Sequence, residues 1–181
     1  EMSERLVPLG IPKVRFEVNV LPDELSYDGA DKVVFLVSAN SSSPMRPVEQ
    51  VASGGEIARV MLSLKAMIGN AVELPTIIFD EIDTGVSGRV AEQMAQIMKE
   101  MGSSDRQVIS ITHLPQIAAL GTTHYKVAKE ETATGTASRM TLLDEEARVR
   151  EIAQMLSGSE VTQAAVDNAR ELIEKGKNNN V

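Results

Sequence analysis

The sequence predicts an α/β fold with a parallel strand–helix–strand core, flanking helices and antiparallel hairpins. Two short predicted strands, 76–79 and 107–112, enclose a segment whose apolar residues recur at helical spacing. A strand, helix and strand at this spacing form a βαβ unit, whose strands run parallel and end at the same edge of the sheet. On either side of this unit, stretches that alternate between apolar and polar residues predict paired strands.

The segment before the core is predicted to be an antiparallel strand pair. Residues 13–20 alternate strictly, so one face of a half-buried strand would carry Val14, Phe16, Val18 and Val20. A turn-rich stretch containing Asp28-Gly29 follows, and residues 32–37 are predicted to form the partner strand. Residues 40–47 are rich in Ser and Pro and are predicted to be a loop.

Two helices are predicted in the middle of the chain. The first ends at Gly69-Asn70, and its apolar stripe is Ile57, Val60, Met61, Leu64, Met67 and Ile68. The second joins the two core strands and ends at Gly102, with an apolar face of Val90, Met94, Ile97, Met98 and Met101. The unbroken apolar run 76–79 predicts a strand that is covered on both faces.

The end of the chain is predicted to hold a hairpin, two helices and a frayed tail. The hairpin strands are 125–128 and 139–143, with His124 expected as a strand residue whose ring faces solvent. The apolar residues of the two helices are Val149, Ile152, Ala153 and Leu156 in the first, and Val161, Ala164, Ala165, Asn168 and Leu172 in the second. Residues 177–181 are predicted to be disordered.

Composition excludes several classes of protein. The chain has no cysteine, which excludes disulfide scaffolds, thiolate zinc sites and cysteine nucleophiles. Its net charge of −8 gives no support for nucleic-acid binding by this chain alone. No apolar run approaches the roughly 20 residues of a membrane helix, and no secretory signal is present, so we expect a cytoplasmic protein without a membrane partner. The nine methionines lie at helical spacing and are predicted to fill the core.

Ser53-Gly54-Gly55-Glu56 precedes the first apolar helix and has the pattern of a capping box. A cap does not require two glycines, which weaken a helix by roughly 1 kcal/mol each relative to Ala. Consecutive glycines at a helix start leave backbone N–H groups uncovered at the positive end of the helix dipole. The tetrapeptide therefore predicts both a helix cap and a site for an anion such as phosphate.

Ionisable residues follow both core strands. Asp80-Glu81 comes after the first and His113 after the second, so all three are expected at one sheet edge, where open α/β sheets bind ligands. An Asp at this position can hold hydrated Mg²⁺, and the adjacent carboxylate can orient or deprotonate water. Asp83-Thr84-Gly85 matches the aspartic-protease tripeptide, but it follows two acids and enters a helix, which argues against that all-β class.

The order of these motifs resembles the second half of an ABC-type ATPase head, and their details resemble the RecN family of bacterial DNA repair proteins, which is related to the SMC proteins. The similar segments are 51–59 (VASGGEIAR), 79–88 (FDEIDTGVSG), 112–118 (THLPQIA) and 150–158 (REIAQMLSG). The resemblance extends from about residue 14 to residue 174. Ala52 stands where many ABC transporters carry Leu, which favours the RecN branch.

The resemblance implies a role for each motif residue. Ser53, Gly54 and Gly55 would form the signature motif, which contacts the γ-phosphate of ATP held by a second subunit. Asp80 would be the Walker B acid acting through Mg²⁺, and Glu81 the base for the attacking water. Asp83 would belong to the D-loop across the dimer, and His113 would be the switch histidine.

No G-x-x-x-x-G-K-[ST] phosphate loop occurs in the sequence, and the chain begins with Glu. The resemblance therefore implies that residues 1–176 are the C-terminal lobe of an ATPase head, an excerpt without the P-loop. The implied partners are ATP with Mg²⁺, the N-terminal P-loop lobe of the same protein, the second head of a homodimer, and DNA through the complete protein. Hydrolysis is expected of that complete protein and not of this chain alone.

Two other functions stay open on the sequence. Asp80, Glu81, Asp83 and His113 are also the residue types of a metal-dependent phosphodiesterase of the toprim-like kind, although such domains favour Asp-x-Asp. Magnesium-dependent nicking of plasmid DNA would favour that function. Alternatively, the chain is a non-catalytic docking module whose signature face completes a partner.

Overall fold

The chain divides into two compact units, Glu1–Ile111 and Thr112–Val181. A computed structural model describes residues 2–38, 40, 42–50, 54–68, 74–102, 106–132, 135–158 and 160–178. In these described ranges, no helix has the length and apolar character needed to cross a membrane.

The first unit combines an antiparallel sheet, a parallel strand pair and helices. In chain order its elements are α1 (Met2–Leu6), β1 (Arg15–Ser26), β2 (Gly29–Ser38), β3 (Arg46–Pro47), a 3₁₀ turn (Val48–Gln50), α2 (Gly54–Ile68), β4 (Thr76–Asp80), α3 (Gly88–Gly102) and β5 (Gln107–Ile111). The antiparallel sheet has the strand order β1-β2-β3, and β4 pairs with β5. The short β3 and the 3₁₀ turn lie at the end of the predicted loop and just beyond it.

The β1–β2 pair is antiparallel as predicted, with Phe16 opposite Val37 and Val18 opposite Phe35. Both strands are longer than the alternating pattern indicates. The prediction that β1 is half-buried is wrong for its outer part, because Val18 and Val20 are exposed. Alternation shows which side chains share a face, but burial also requires a second layer over that face.

The predicted βαβ unit is confirmed. β4 and β5 run parallel in the register Thr76 opposite Gln107 to Asp80 opposite Ile111, and α3 connects them and ends at Gly102. On the covered face of β4, Ile77 is 4% and Phe79 2% exposed. Lys65 of α2 lies with its ammonium nitrogen 5.5 Å from the Phe79 ring centroid, a distance at which the cation is attracted to the ring.

The opposite face of this strand pair is exposed and apolar. Ile78 on β4 is 56% exposed, and Ile109 and Ile111 on β5 are 40% and 52% exposed. Because Ile78 pairs with Ile109 in a parallel register, these side chains lie on the same face. The prediction that β4 is covered on both faces is therefore wrong for this chain, which supplies cover on one side.

The helices of the first unit follow their predicted patterns in part. On α3, Met94, Met98 and Met101 are buried, as predicted for core methionines, but the prediction is wrong for Met61 and Met140, which are exposed. On α2 the predicted stripe is wrong at its edge, since Met61 is exposed and Leu62 is buried. The helix α1 was not predicted, and both it and the residues that follow it contribute to the core. Buried apolar residues in this stretch are Met2, Leu6, Leu9, Ile11 and Val14.

The second unit contains α4 (Pro115–Leu120), β6 (Tyr125–Thr132), β7 (Gly135–Leu142), α5 (Glu145–Ser157) and α6 (Gln163–Asn178). The predicted hairpin is confirmed, with Tyr125 opposite Leu142. The core of the unit lies where α4, α5 and α6 meet, and its buried residues are Ala119, Ile152, Ala153, Ala165, Ala169 and Ile173.

The structures of α5 and α6 differ in detail from the predicted helices. The Asp144 side chain caps α5 by accepting a hydrogen bond from the Ala147 N–H at 2.8 Å. On α6 the predicted apolar face is wrong by one position along the helix, because Ala169 is buried and Asn168 is exposed. Of the predicted tail, Lys177 and Asn178 are helical, and 179–181 lie outside the described residues.

Candidate functional site

Asp80 and Glu81 stand at the carboxyl end of β4. Asp80 is the last residue of the strand, and both side chains are exposed. The Glu81 N–H donates a hydrogen bond to the Ile111 carbonyl at 3.1 Å, which continues the β4–β5 pairing by one residue. Glu81 then turns away with φ +46°, in the left-handed region that residues other than glycine seldom adopt. Such backbone strain is frequently found at functional sites.

The loop after Glu81 folds back on itself before α3 begins. The Thr84 N–H and the Thr84 hydroxyl both donate to the Glu81 carbonyl, at 3.4 and 3.0 Å. The Val86 N–H donates to the Asp83 carbonyl at 3.2 Å. The Asp83 side chain is only 1% exposed. The loop therefore presents Asp80 and Glu81 outward and holds the Asp83 side chain inside.

The glycine pair lies at the start of α2, which begins at Gly54. Ser53 lies outside the described residues. A Cβ on Gly55 would come within 2.8 Å of the Thr84 carbonyl oxygen, whereas a Cβ on Gly54 would meet no described residue within 4 Å. Gly55 thus allows the start of α2 and the loop after β4 to touch. Gly54 leaves open space above the helix start.

Arg59 lies beside the same helix start. Its Nη1 is 3.5 Å from the position that a Cβ on Gly55 would occupy. Burial lowers the pKa of the Arg59 guanidinium, and the charge of Glu56 partly offsets this. Within the part of the chain that the structure describes, the buried Nε of Arg59 has no hydrogen-bond partner. A partly desolvated cation is therefore added to the positive end of the helix dipole.

The first unit thus brings together Gly55, Thr84 and the Asp80–Glu81 pair, which are predicted site elements or their immediate neighbours. His113 belongs to the second unit, is exposed, and follows the end of β5 by two residues. The roles assigned to the site residues all stay predictions, namely those of Ser53, Gly54, Gly55, Asp80, Glu81, Asp83 and His113.

The acidic residues suit one kind of metal site better than another. Mg²⁺ is commonly held by one or two carboxylates together with water and substrate phosphates, and the exposed Asp80 carboxylate at the sheet edge fits that chemistry. A metal-dependent nuclease would need several acidic side chains directed at the same metal ion. Across the described ranges, no group of three or more His, Asp or Glu side chains is arranged to hold a metal ion.

Two residues of this site were not singled out by the sequence analysis. Thr84 follows Glu81 by three residues, the spacing at which a Thr hydroxyl can bond to a preceding carbonyl. Arg59 follows Gly55 by four residues, which places both on one side of a helix. Both spacings are common in proteins, so neither identifies a functional residue from the sequence alone. The contact between the loop and α2 is what draws attention to these two residues.

Comparison with curated proteins identifies close relatives in sequence. The chain is 38% identical to the DNA repair protein RecN of Vibrio cholerae over 174 residues, which are 95% of this chain and 31% of that protein. It is 43% identical to RecN of Bacillus subtilis over 87% of this chain and 27% of that protein. RecN of Halalkalibacterium halodurans is 42% identical over 96% of this chain. The predicted resemblance to RecN is confirmed.

Comparison with solved structures identifies the fold. The Smc head domain of Pyrococcus yayanosii, solved with a coiled coil and joint, matches 86% of this chain and 28% of that chain with a TM-score of 0.65 and 22% identity. A structure from work on ATP-driven dimerization and DNA-stimulated activation of SMC ATPases matches 88% of this chain and 91% of that chain, with a TM-score of 0.57 and 20% identity. The fold is therefore that found in SMC ATPase heads, as predicted.

The matched segment is most of this chain but only part of its curated relatives. The chain spans about a third of the length of the curated relatives it matches, 31% for the Vibrio cholerae protein. No protein-family model matches the chain.

Proposed function

We propose that residues 1–176 form the C-terminal lobe of the ATPase head of a RecN-type DNA repair protein. In that protein the lobe contributes to an ATP site shared between two heads. The observation that carries this proposal is the contact between Gly55 and the Thr84 carbonyl. It joins the glycine-rich helix start to the loop that follows Asp80 and Glu81, so one lobe would present a signature to the opposite head and an acidic sheet edge to its own nucleotide.

The exposed groups have separate chemical tasks in this proposal. The open helix start at Gly54, with Arg59 beside it, accepts the γ-phosphate of ATP held by the opposite head. Asp80 holds Mg²⁺ through water or directly, and the metal neutralises phosphate charge when bound. Glu81 orients the attacking water and accepts its proton. Ser53 completes the signature, and His113 supplies the switch contact to phosphate.

A second lobe is needed to complete the site, because the chain contains no phosphate-binding G-x-x-x-x-G-K-[ST] loop. We assign that task to the N-terminal P-loop lobe of the same protein. The exposed apolar face of Ile78, Ile109 and Ile111 supports a neighbour on this side of the β4–β5 pair. The curated relatives are about three times as long as the matched segment, which leaves room for such a lobe.

A second head is the other partner, because a signature that faces outward cannot reach nucleotide bound to its own lobe. The Asp83 loop lies beside this signature and would take part in the dimer contact. The Asp83 carboxylate is buried, so the loop would offer its backbone or its neighbours. DNA is engaged through the complete protein, since the net charge of −8 disfavours binding of the DNA backbone by this lobe. The complete protein acts in the cytoplasm.

The test is Glu81→Gln in the complete protein. The amide keeps the shape of the side chain and cannot accept the proton, so we expect hydrolysis to fall by about 10²- to 10⁴-fold with nucleotide affinity unchanged. Nucleotide-bound dimers should then accumulate in sedimentation experiments. The matched control is Glu92→Gln, which changes an exposed carboxylate of α3 and should leave the rate unaltered. Hydrolysis by Glu81→Gln at the control rate would assign the base to another group.

A further inference from the structure

We infer that Thr84 is a positioning residue that couples the glycine-rich start of α2 to the backbone of Glu81. Thr84 contacts both features directly, one through its carbonyl and the other through its N–H and hydroxyl. The coupling itself is a property of this chain. Its consequence for catalysis rests on the function proposed above, in which Glu81 is the base.

The first contact is a backbone approach that only glycine permits. A Cβ on Gly55 would be 2.8 Å from the Thr84 carbonyl oxygen, which is shorter than a carbon and an oxygen can approach without displacement. The neighbouring atom is part of the main chain, so it cannot rotate away as the end of a side chain could. The absence of a side chain on Gly55 therefore allows the loop to pack directly against the start of α2. Within the described ranges, the adjacent Gly54 has no such contact.

The second contact fixes the other side of Thr84. Its N–H and its hydroxyl both donate to the Glu81 carbonyl, at 3.4 and 3.0 Å. Glu81 is also held on its amino side, where its N–H donates to the Ile111 carbonyl at 3.1 Å. The Glu81 peptide groups are thus bonded to β5 on one side and to Thr84 on the other.

The backbone of Glu81 needs this support. Its φ of +46° lies in the left-handed region, which a residue with a side chain adopts only when its surroundings over-determine it. Displacing the Thr84 hydroxyl would remove one of the two bonds to the Glu81 carbonyl and let the peptide relax. The direction of the Glu81 carboxylate would change with it.

These contacts give the two glycines different roles. Gly54 keeps space open for an anion, and Gly55 transmits the position of the helix start to the loop. Movement of α2 when a phosphate binds at Gly54 would therefore reach Glu81 through Thr84. In an ATP site this coupling would align the base only when the signature of that same head is engaged.

The first experiment measures amide hydrogen exchange by NMR in the 181-residue chain without nucleotide. We expect Gly55→Ala to speed exchange of the Glu81 N–H by about tenfold, because the added methyl displaces Thr84. The matched control Gly54→Ala adds the same methyl where space is open and should leave this exchange within about twofold of the parent chain. Equal effects of the two substitutions, or no effect of Gly55→Ala, would overturn the inference.

The second experiment separates the hydroxyl from the bulk of the side chain. Thr84→Val removes the donor and keeps the shape, whereas Thr84→Ser keeps the donor. We expect Thr84→Val to speed exchange of the Glu81 N–H by about tenfold and Thr84→Ser to retain the parent value, with circular dichroism verifying that both variants are folded. If the two variants behave alike, Thr84 does not position Glu81 through its hydroxyl.

In the complete protein, Thr84→Val should lower kcat for ATP with little change in KM, and Thr84→Ser should restore kcat. This readout fails together with Glu81→Gln if Glu81 is not the base. The exchange measurements need no ATP, so they distinguish a failure of the coupling from a failure of the proposed function.

Discussion

His124 is a half-buried residue whose two ring nitrogens have different surroundings. Nε2 donates to the Ala118 carbonyl at the end of α4. The buried Nδ1 has no hydrogen-bond partner among the described residues. Arg148 lies in the same region and donates to the carbonyls of Ala119 and Gly121, at 2.9 and 2.7 Å. The expectation of a solvent-facing ring at position 124 is therefore wrong, because the end of α4 offers carbonyl groups that need donors.

This environment predicts a pH-dependent stability. Burial lowers the pKa of His124 and the charge of Arg148 lowers it further, while the hydrogen bond to Ala118 partly opposes them. Because the folded pKa lies below the unfolded value of about 6.5, the unfolded chain binds the proton more readily. The contribution of His124 to the free energy of unfolding should therefore be fully present above about pH 6.5. It should be lost as the pH falls toward the pKa of the folded state.

The measurement is thermal unfolding from about pH 8 to about pH 5.5, where most carboxylates stay ionised. We expect His124→Gln to flatten the pH dependence, since it removes the titrating ring. The parent chain, measured over the same pH range, is the reference for this slope. An unchanged slope in His124→Gln would show that another group titrates.

At the residue scale, chemical type was predictable and orientation was not. Asp80 and Glu81 could be placed at the sheet edge because they directly follow an apolar strand. The contact between Gly55 and Thr84 joins positions 29 residues apart in sequence, so no local pattern contains it. The burial of Asp83 was also beyond local patterns, since the same tripeptide could turn its carboxylate inward or outward.

At the scale of elements, the β4–β5 pair is covered on one face and bare on the other. Ile77 and Ile78 are neighbours on β4, yet one is 4% and the other 56% exposed. Successive side chains on a strand point to opposite faces. The two isoleucines therefore report separately on the core of this chain and on the surface that we assign to the P-loop lobe.

Substitution of these two residues tests that assignment. Ile77→Ser should destabilise the chain by about 2 kcal/mol or more, because it opens a cavity in the core. Ile78→Ser should change stability by no more than about 0.5 kcal/mol. With the P-loop lobe produced as a separate polypeptide, Ile78→Ser should weaken its association with this chain by about tenfold or more. Thermal unfolding and analytical ultracentrifugation provide the two readouts. If Ile78→Ser associates as tightly as the parent chain, the P-loop lobe does not bind this face.

Periodicity predicted the elements better than their exposure. The parallel pair, α3 and the β6–β7 hairpin follow from apolar spacing because each pattern is set by backbone geometry. The outer half of β1 and one face of β4 were expected to be covered, since apolar side chains usually are. Cover depends on a second layer, which a strand's own residues do not specify. The short helix α1 has too few residues for a period to be read.

At the scale of the whole molecule, the chain carries a signature-like helix start and an acidic sheet edge without a phosphate-binding loop. In the proposed site, this chain would therefore supply only part of the groups that contact the γ-phosphate. In the proposed mechanism, the nucleotide would have to be held in place before Glu81 could act on the attacking water. An isolated lobe of this kind should be folded and inactive, and activity should appear on assembly.

Steady-state hydrolysis of MgATP tests this account most directly. We expect the 181-residue chain alone to show no turnover above the buffer blank. Addition of the P-loop lobe should restore hydrolysis, and the same mixture prepared with Glu81→Gln should lose it. Turnover by the chain alone that Glu81→Gln abolishes would contradict the account, as would hydrolysis by the mixture at a rate that Glu81→Gln leaves unchanged.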